Sequence, residues 1–210
     1  MVKKVTAKKT AKNKKEDITN VIFLLDNTGS MYRIKSDTIG GFNTFISEQK
    51  KLKNNIKFSL TLFNSFQIEK RYINVDINDV EELNEDTYNP NGTTPLNDAI
   101  GKTINEVGDL KNALFVIMTD GEENASIEFD LPTVKKMIED KEKLGWTFLY
   151  LGVDVTNFVN NAMDYGIKMS VNTFSDDIKG SYQKMSKTVN AYSISANKSN
   201  FNAQDEFEKS

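Results

Sequence analysis

The chain has 210 residues, enough for one domain with a full core and short tails. Apolar residues make up 38% and charged residues 27%, the balance of a soluble globular protein, and no apolar run approaches the length of a membrane span. There is no cysteine and no histidine, which excludes disulfides, zinc–thiolate sites, thiol catalysis and the commonest general base, so any metal must be held by oxygen: Mg2+, Mn2+ or Ca2+.

The net charge of −3 is unevenly spread. Lys3, Lys4, Lys8, Lys9, Lys12, Lys14 and Lys15 carry +7, which leaves the rest of the chain near −10. An acidic body argues against a duplex-binding surface. Residues 1–17 lack apolar periodicity and read as a solvated basic tail; the sharper reading is an arm that touches nucleic acid or an acidic partner. No apolar segment directly follows these lysines, so no secretory signal is expected and the protein is placed in the cytoplasm, or with a virion if phage-encoded.

Residues 21–25 form a short continuous apolar run, the mark of a strand buried on both faces. Thr38, Phe42, Phe45, Ile46 and Leu52 recur at helical spacing and predict a helix over 36–53, weakened by Gly40 and Gly41 unless these let it pack closely. Residues 56–63 and 67–75 predict a hairpin turning at Asn64-Ser65, with the second strand an antiparallel edge. A helix over 95–107 has Thr94 as its expected N-cap and Pro95 in its first turn. Strands at 113–119, 146–153 and 168–172 then alternate with helices at 131–144, 156–165 and 176–192. Residues 197–210 are polar, with Phe201 and Phe207 as isolated apolar positions, and read as a C-terminal tail. The predicted fold is a doubly wound α/β three-layer sandwich over 18–196, its central sheet of about six strands mostly parallel.

In such a sheet, ligands gather beyond the carboxyl ends of the strands. Asp26 lies just past the first strand and Asp120 just past the 113–119 strand. Thr28 and Ser30 point the same way as Asp26 if their loop stays extended. Thr94 heads a helix whose preceding loop opens on that edge. Two carboxylates and three alcohols around one point suit a hard divalent cation that keeps some of its water. Each piece also has a structural reading: Asp120-Gly121 as a turn, Thr94 as a helix cap, and 26–30 as a loop satisfying backbone amides.

Asp26-x-Thr28-x-Ser30, then Gly92-Thr93-Thr94-Pro95-Leu96, then Thr119-Asp120-Gly121 resembles the von Willebrand factor A (VWA) domain and its metal-ion-dependent adhesion site. The resemblance covers roughly 19–192. It looks closest to small stand-alone VWA proteins of bacteria and phages, through residues 36–43 and 121–126. Thr28 replaces the first serine of the family's Asp-x-Ser-x-Ser, and the family spacing selects Thr94 over Thr93. The resemblance implies that Ser30, Thr28 and Thr94 bind Mg2+ (or Mn2+ or Ca2+) directly or through water. Asp26 and Asp120 would balance its charge, and an Asp or Glu of a partner protein would fill an open position. Where the two aspartates act through water, the cation keeps positive charge at its open position, which favours that incoming carboxylate. Family analogy also implies an adaptor beside a larger machine, such as an ATPase or a phage assembly. Partner choice would rest on loops around the site, including Glu122, Glu123 and residues 64–66.

Two other functions compete with a binding module. One is a structural protein whose metal site is stabilising or vestigial. The other is a Mg2+-dependent phosphoryl hydrolase of the haloacid-dehalogenase type, which pairs a strand-end aspartate with a second acid two residues on. Here that position is Thr28, which cannot be the general acid.

Overall fold

The computed structural model describes residues 18–210 apart from 53, 155 and 157. The Lys-rich segment 1–17 lies outside the described residues. The elements are β1 (Thr19–Asp26), α1 (Lys35–Leu52), β2 (Ile56–Phe63), β3 (Ile68–Asp76), α2 (Leu96–Val107), β4 (Ala113–Thr119), α3 (Leu131–Lys143), β5 (Thr147–Val153), α4 (Phe158–Asp164), β6 (Ser170–Thr173), α5 (Ile178–Ile194) and α6 (Ala203–Lys209). Among the described residues the sheet has six strands in the order β3-β2-β1-β4-β5-β6. Every neighbouring pair is parallel except β2–β3, which is antiparallel, so β3 is the edge the hairpin pattern predicts.

The continuous apolar run of β1 has a direct cause. Val21, Phe23 and Leu25 face one core layer, with Phe42 and Phe45 of α1 and Tyr182 of α5. Ile22 and Leu24 face the other, with Ile100 and Ile104 of α2 and Val134 and Ile138 of α3. All five are at most 1% exposed. Burying such side chains contributes roughly 1.5–3 kcal/mol each, which makes β1 the anchor of both layers. The same logic makes β4 a continuous apolar strand beside it. The chain winds outward from β1 through β2 to β3, then returns to the other side of β1 at β4. The order therefore reverses between β1 and β4, and the carboxyl end of the sheet at such a reversal is where ligands of this architecture gather.

Gly41 serves helix-on-helix packing rather than helix-on-sheet packing. A Cβ on Gly41 would lie 2.3 Å from Cδ2 of Tyr182, so its absence lets α1 and α5 pack closely.

Two expectations are corrected. Residues 197–210 are not a tail: α6 buries Ala203 and Phe207 against the layer containing α5, and Phe201 meets Tyr192 edge-on at 5.2 Å. Two apolar positions four apart suffice because α5 supplies the other half of the contact, which a sequence window over the segment alone cannot weigh. Thr94 is not the N-cap of α2 either. Pro95 occupies that position, without a side-chain cap bond. Elsewhere boundaries shift by a few residues: 156–165 becomes α4, and 168–172 becomes β6. Among the described residues no helix is long and apolar enough to cross a membrane.

Candidate metal centre

β1 and β4 end side by side, which brings Asp26 and Asp120 to one edge. Asp26 is fully buried. One carboxylate oxygen accepts the backbone N–H of Thr28 at 2.7 Å, and the other accepts the Thr119 hydroxyl at 2.5 Å. The buried Tyr88 hydroxyl donates to the Asp26 carbonyl at 2.7 Å and fixes the strand end from below. Thr28 is extended (φ −84°, ψ 167°), but Gly29–Ile34 then winds into a 3-10 helix. The loop is therefore not extended through Ser30, as simple alternation required. The helical turn brings the two hydroxyls together instead: Thr28 Oγ1 and Ser30 Oγ are 3.1 Å apart. Ser30 in turn donates to Asp120 Oδ1 at 2.6 Å.

Thr94 arrives from a third segment. The loop before α2 is stitched to the Asp26 loop by Gly29 N–H to Gly92 carbonyl at 3.0 Å and Asn91 N–H to Asn27 carbonyl at 2.9 Å. The Thr94 hydroxyl lies 2.9 Å from where a Cβ on Gly121 would stand, so only glycine after Asp120 leaves room for it. It makes no hydrogen bond among the described residues, although Thr94 is only 3% exposed. A cap would have spent that oxygen; here it is free beside Asp120-Gly121. Thr28 and Asp26 are buried while Ser30 is exposed, so the cluster opens to solvent on the Ser30 side.

The electrostatics of this cluster are unfavourable as it stands. Burial pushes the Asp26 carboxyl up to about 7, against the lowering effect of the Thr119 and Thr28 hydrogen bonds, and the nearby Asp120 adds to the rise. Burial also raises Asp120, opposed by the Ser30 hydrogen bond and by Arg33. Two neighbouring carboxylates whose ionisation is resisted, three hydroxyl oxygens and one solvent-facing side fit a small dication, which would favour both ionised forms. Among the described residues no cluster of three or more acidic groups exists that could hold a metal, so the fit depends on the hydroxyls as well as on the two carboxylates.

The loop after β4 also has structural work: the Glu123 carboxylate accepts the N–H groups of Asn97, Ala125 and Ser126 and the Ser126 hydroxyl. Asn124 Oδ1 accepts Thr94 N–H at 2.8 Å, and Asn124 N–H returns to the Thr94 carbonyl at 3.0 Å. Asp98, in the first turn of α2, accepts three N–H groups from residues 127–129. Helix α2 and this loop thus cap each other, and Asn124 positions Thr94. Asn64 is also structural, its Oδ1 accepting the N–H of Phe66 and of Gln67, whereas Phe66 stays exposed beside Gly92. Sequence reasoning missed Thr119, Asn124 and Arg33. A hydroxyl one residue before Asp120 was visible; its bond to Asp26 needed the β1–β4 pairing.

No family profile matches the chain, and no curated protein matches it by sequence. Solved structures do match. The vWF domain of the type V pili tip protein Mfa5 from Porphyromonas gingivalis aligns with a TM-score of 0.64 at 10% identity, over 85% of this chain and 97% of that one. The pilus adhesin SpaC from Lactobacillus rhamnosus GG aligns with a TM-score of 0.59 at 11% identity, over 84% of this chain but only 30% of the adhesin. The SpRpn10 VWA domain aligns with a TM-score of 0.52 at 8% identity, over 79% of this chain and 94% of that one. The chain has the VWA fold.

Proposed function

We propose that this VWA-fold chain is a metal-dependent protein-binding module. Thr28, Ser30 and Thr94 would hold Mg2+, or Mn2+ or Ca2+ in its place, directly or through water, Asp26 and Asp120 would balance its charge, and an Asp or Glu side chain of a partner protein would fill the open position. The observation that carries this reading is the convergence of three segments on five oxygen-bearing side chains, with the Thr94 hydroxyl left unbonded. The cation would supply charge to two carboxylates that burial disfavours. The protein's own part is to hold the oxygens in place through the Thr28 amide, the Thr119 hydroxyl and the Asn124 clamp on Thr94. Two of the similar structures are a pilus tip protein and a pilus adhesin, which supports a role in protein contact. By the same analogy the partner belongs to a larger assembly, such as an ATPase or a phage particle.

Binding is favoured over phosphoryl transfer by the Asp26 environment. Both its oxygens already accept hydrogen bonds and the side chain is fully buried, so neither oxygen is presented to a substrate as a nucleophile. A purely stabilising metal remains the competing reading, and capture separates the two. Immobilised protein incubated with extract of its host should retain a partner in Mg2+, release it in EDTA and lose it in Asp120→Ala. Retention that is indifferent to EDTA and to Asp120→Ala would overturn the adhesion mechanism and leave the fold untouched.

A further inference from the structure

We propose that Arg33 is a tethered cation that competes with the divalent ion for Asp120, with Asp154 as its second seat. Metal affinity is then set by an exchange of ion pairs. The inference rests on the metal reading above. Arg33 lies in the same 3-10 helix as Ser30, so the turn that delivers a ligand hydroxyl also delivers a fixed positive charge. Its guanidinium spans two carboxylates from different strand ends: Nη1 is 2.7 Å from Asp154 Oδ2, and Nη2 is 3.5 Å from Asp120 Oδ2. The contact to Asp120 is the loose one. The planar fork of arginine can serve both acids at once, which a lysine cannot do from one nitrogen position.

Asp154 is built to receive it. This residue follows β5 with φ +54°, in the left-handed region that costs most side chains energy. Its N–H donates to the Thr173 carbonyl at 2.9 Å, and its Oδ1 accepts the Ser175 N–H at 3.1 Å, which leaves Oδ2 for Arg33. Two hydrogen bonds thus hold the Asp154 seat in place. The Arg33 side chain is 47% exposed and free to give up Asp120 while keeping Asp154. With a dication held among the hydroxyls, Asp120 would be neutralised and the Arg33 guanidinium would be left on Asp154. Without the second seat, Arg33 would hold Asp120 harder and the metal would bind less well.

Calorimetry with Mg2+ alone on the full chain tests this. Arg33→Ala should bind Mg2+ about five- to tenfold tighter than wild type, the effect of removing one partly screened charge near a dication. Arg33→Gln, which keeps most of the side chain's packing, should do the same. Asp154→Asn should weaken Mg2+ binding several-fold in wild type and leave it nearly unchanged in the Arg33→Ala background, because its effect passes through Arg33. Wild-type binding that Arg33→Ala and Arg33→Gln leave equal or weaker would overturn the competition and spare the metal site. The same factor for Asp154→Asn in both backgrounds would overturn the second seat. No Mg2+ binding in either wild type or Arg33→Ala would remove the metal reading and this inference together.

Discussion

Two acidic regions lie a few residues apart on the same edge of the sheet, and they are finished differently. At the head of α2, Asp98 and Glu123 spend their oxygens almost wholly on backbone N–H groups: residues 127–129 for Asp98, and Asn97, Ala125 and Ser126 for Glu123. At the ends of β1 and β4, Asp26 and Asp120 meet two hydroxyls, those of Thr119 and Ser30, together with one backbone N–H and one arginine. Backbone N–H groups cannot turn away, so the first region is closed and complete. Hydroxyls can turn and offer lone pairs, so the second can accept a cation. On the metal reading proposed above, a carboxylate that takes a ligand differs from a structural one in what its oxygens accept.

The largest effect should come from breaking the closed region. Asp98→Ala orphans three N–H groups of the loop, at a cost of about 1–3 kcal/mol for each that stays buried. A drop of several kcal/mol in denaturant-derived stability is expected, with or without Mg2+. A loss below ~1 kcal/mol would mean that the loop does not depend on this cap.

The open region should respond to pH in the opposite sense from an ordinary salt bridge. The Asp26 carboxyl is held near 7 in the fold against an ordinary 3.8, so between these values the folded state keeps a proton that the unfolded chain has released. Metal-free stability should therefore fall as pH rises from about 4 to about 7, by an amount on the order of 4 kcal/mol for a shift of this size. Asp140 and Asp154 are held below the usual carboxylate range and act in the other direction at lower pH, so the contrast with Asp26→Asn isolates the effect. The asparagine variant should lose the Asp26 share of this fall and keep the share of Asp120, whose carboxyl burial also raises. Its amide can donate to the Thr119 hydroxyl, which can turn to the Gly121 carbonyl 3.2 Å away. Stabilisation by Mg2+ should grow over the same interval, because the ion needs the ionised form. Parallel pH–stability curves for wild type and Asp26→Asn would contradict this.

The smallest effects sharpen the assignment of Thr94. Its hydroxyl caps nothing, so Thr94→Ala should change metal-free stability little while weakening Mg2+ binding clearly. Thr93→Ala should be nearly silent in both measurements, and Thr28→Ser should keep binding because the oxygen is preserved. Equal Mg2+ affinities for Thr93→Ala and Thr94→Ala would reassign that ligand position.

Much of this edge was legible in the sequence because it rests on local patterns. The apolar runs 21–25 and 113–119 predict buried neighbouring strands, and the five oxygen residues that follow or precede them come together in the structure. What was not legible depends on pairing across the fold. Thr94 looked like a cap because a threonine before proline usually is one, and only the Asn124 and Glu123 contacts show that α2 is capped from another loop. Arg33 carried no signal in the sequence, since Asp154 is more than a hundred positions away. The 197–210 segment looked like a tail because it is polar with isolated apolar positions, and only the packing on α5 shows that Ala203 and Phe207 are buried.

Titration of Mg2+ into wild type and Asp120→Ala by calorimetry tests the central claim most directly. Asp120 carries one of the two charges that offset the dication, and its removal also frees Ser30 and Arg33 from their present partner. Binding in wild type that is weakened strongly or abolished in Asp120→Ala is the expected result. Equal Mg2+ affinity in the two proteins, or no binding in wild type at neutral pH, would contradict the assignment of Asp26, Thr28, Ser30, Thr94 and Asp120 as a metal centre.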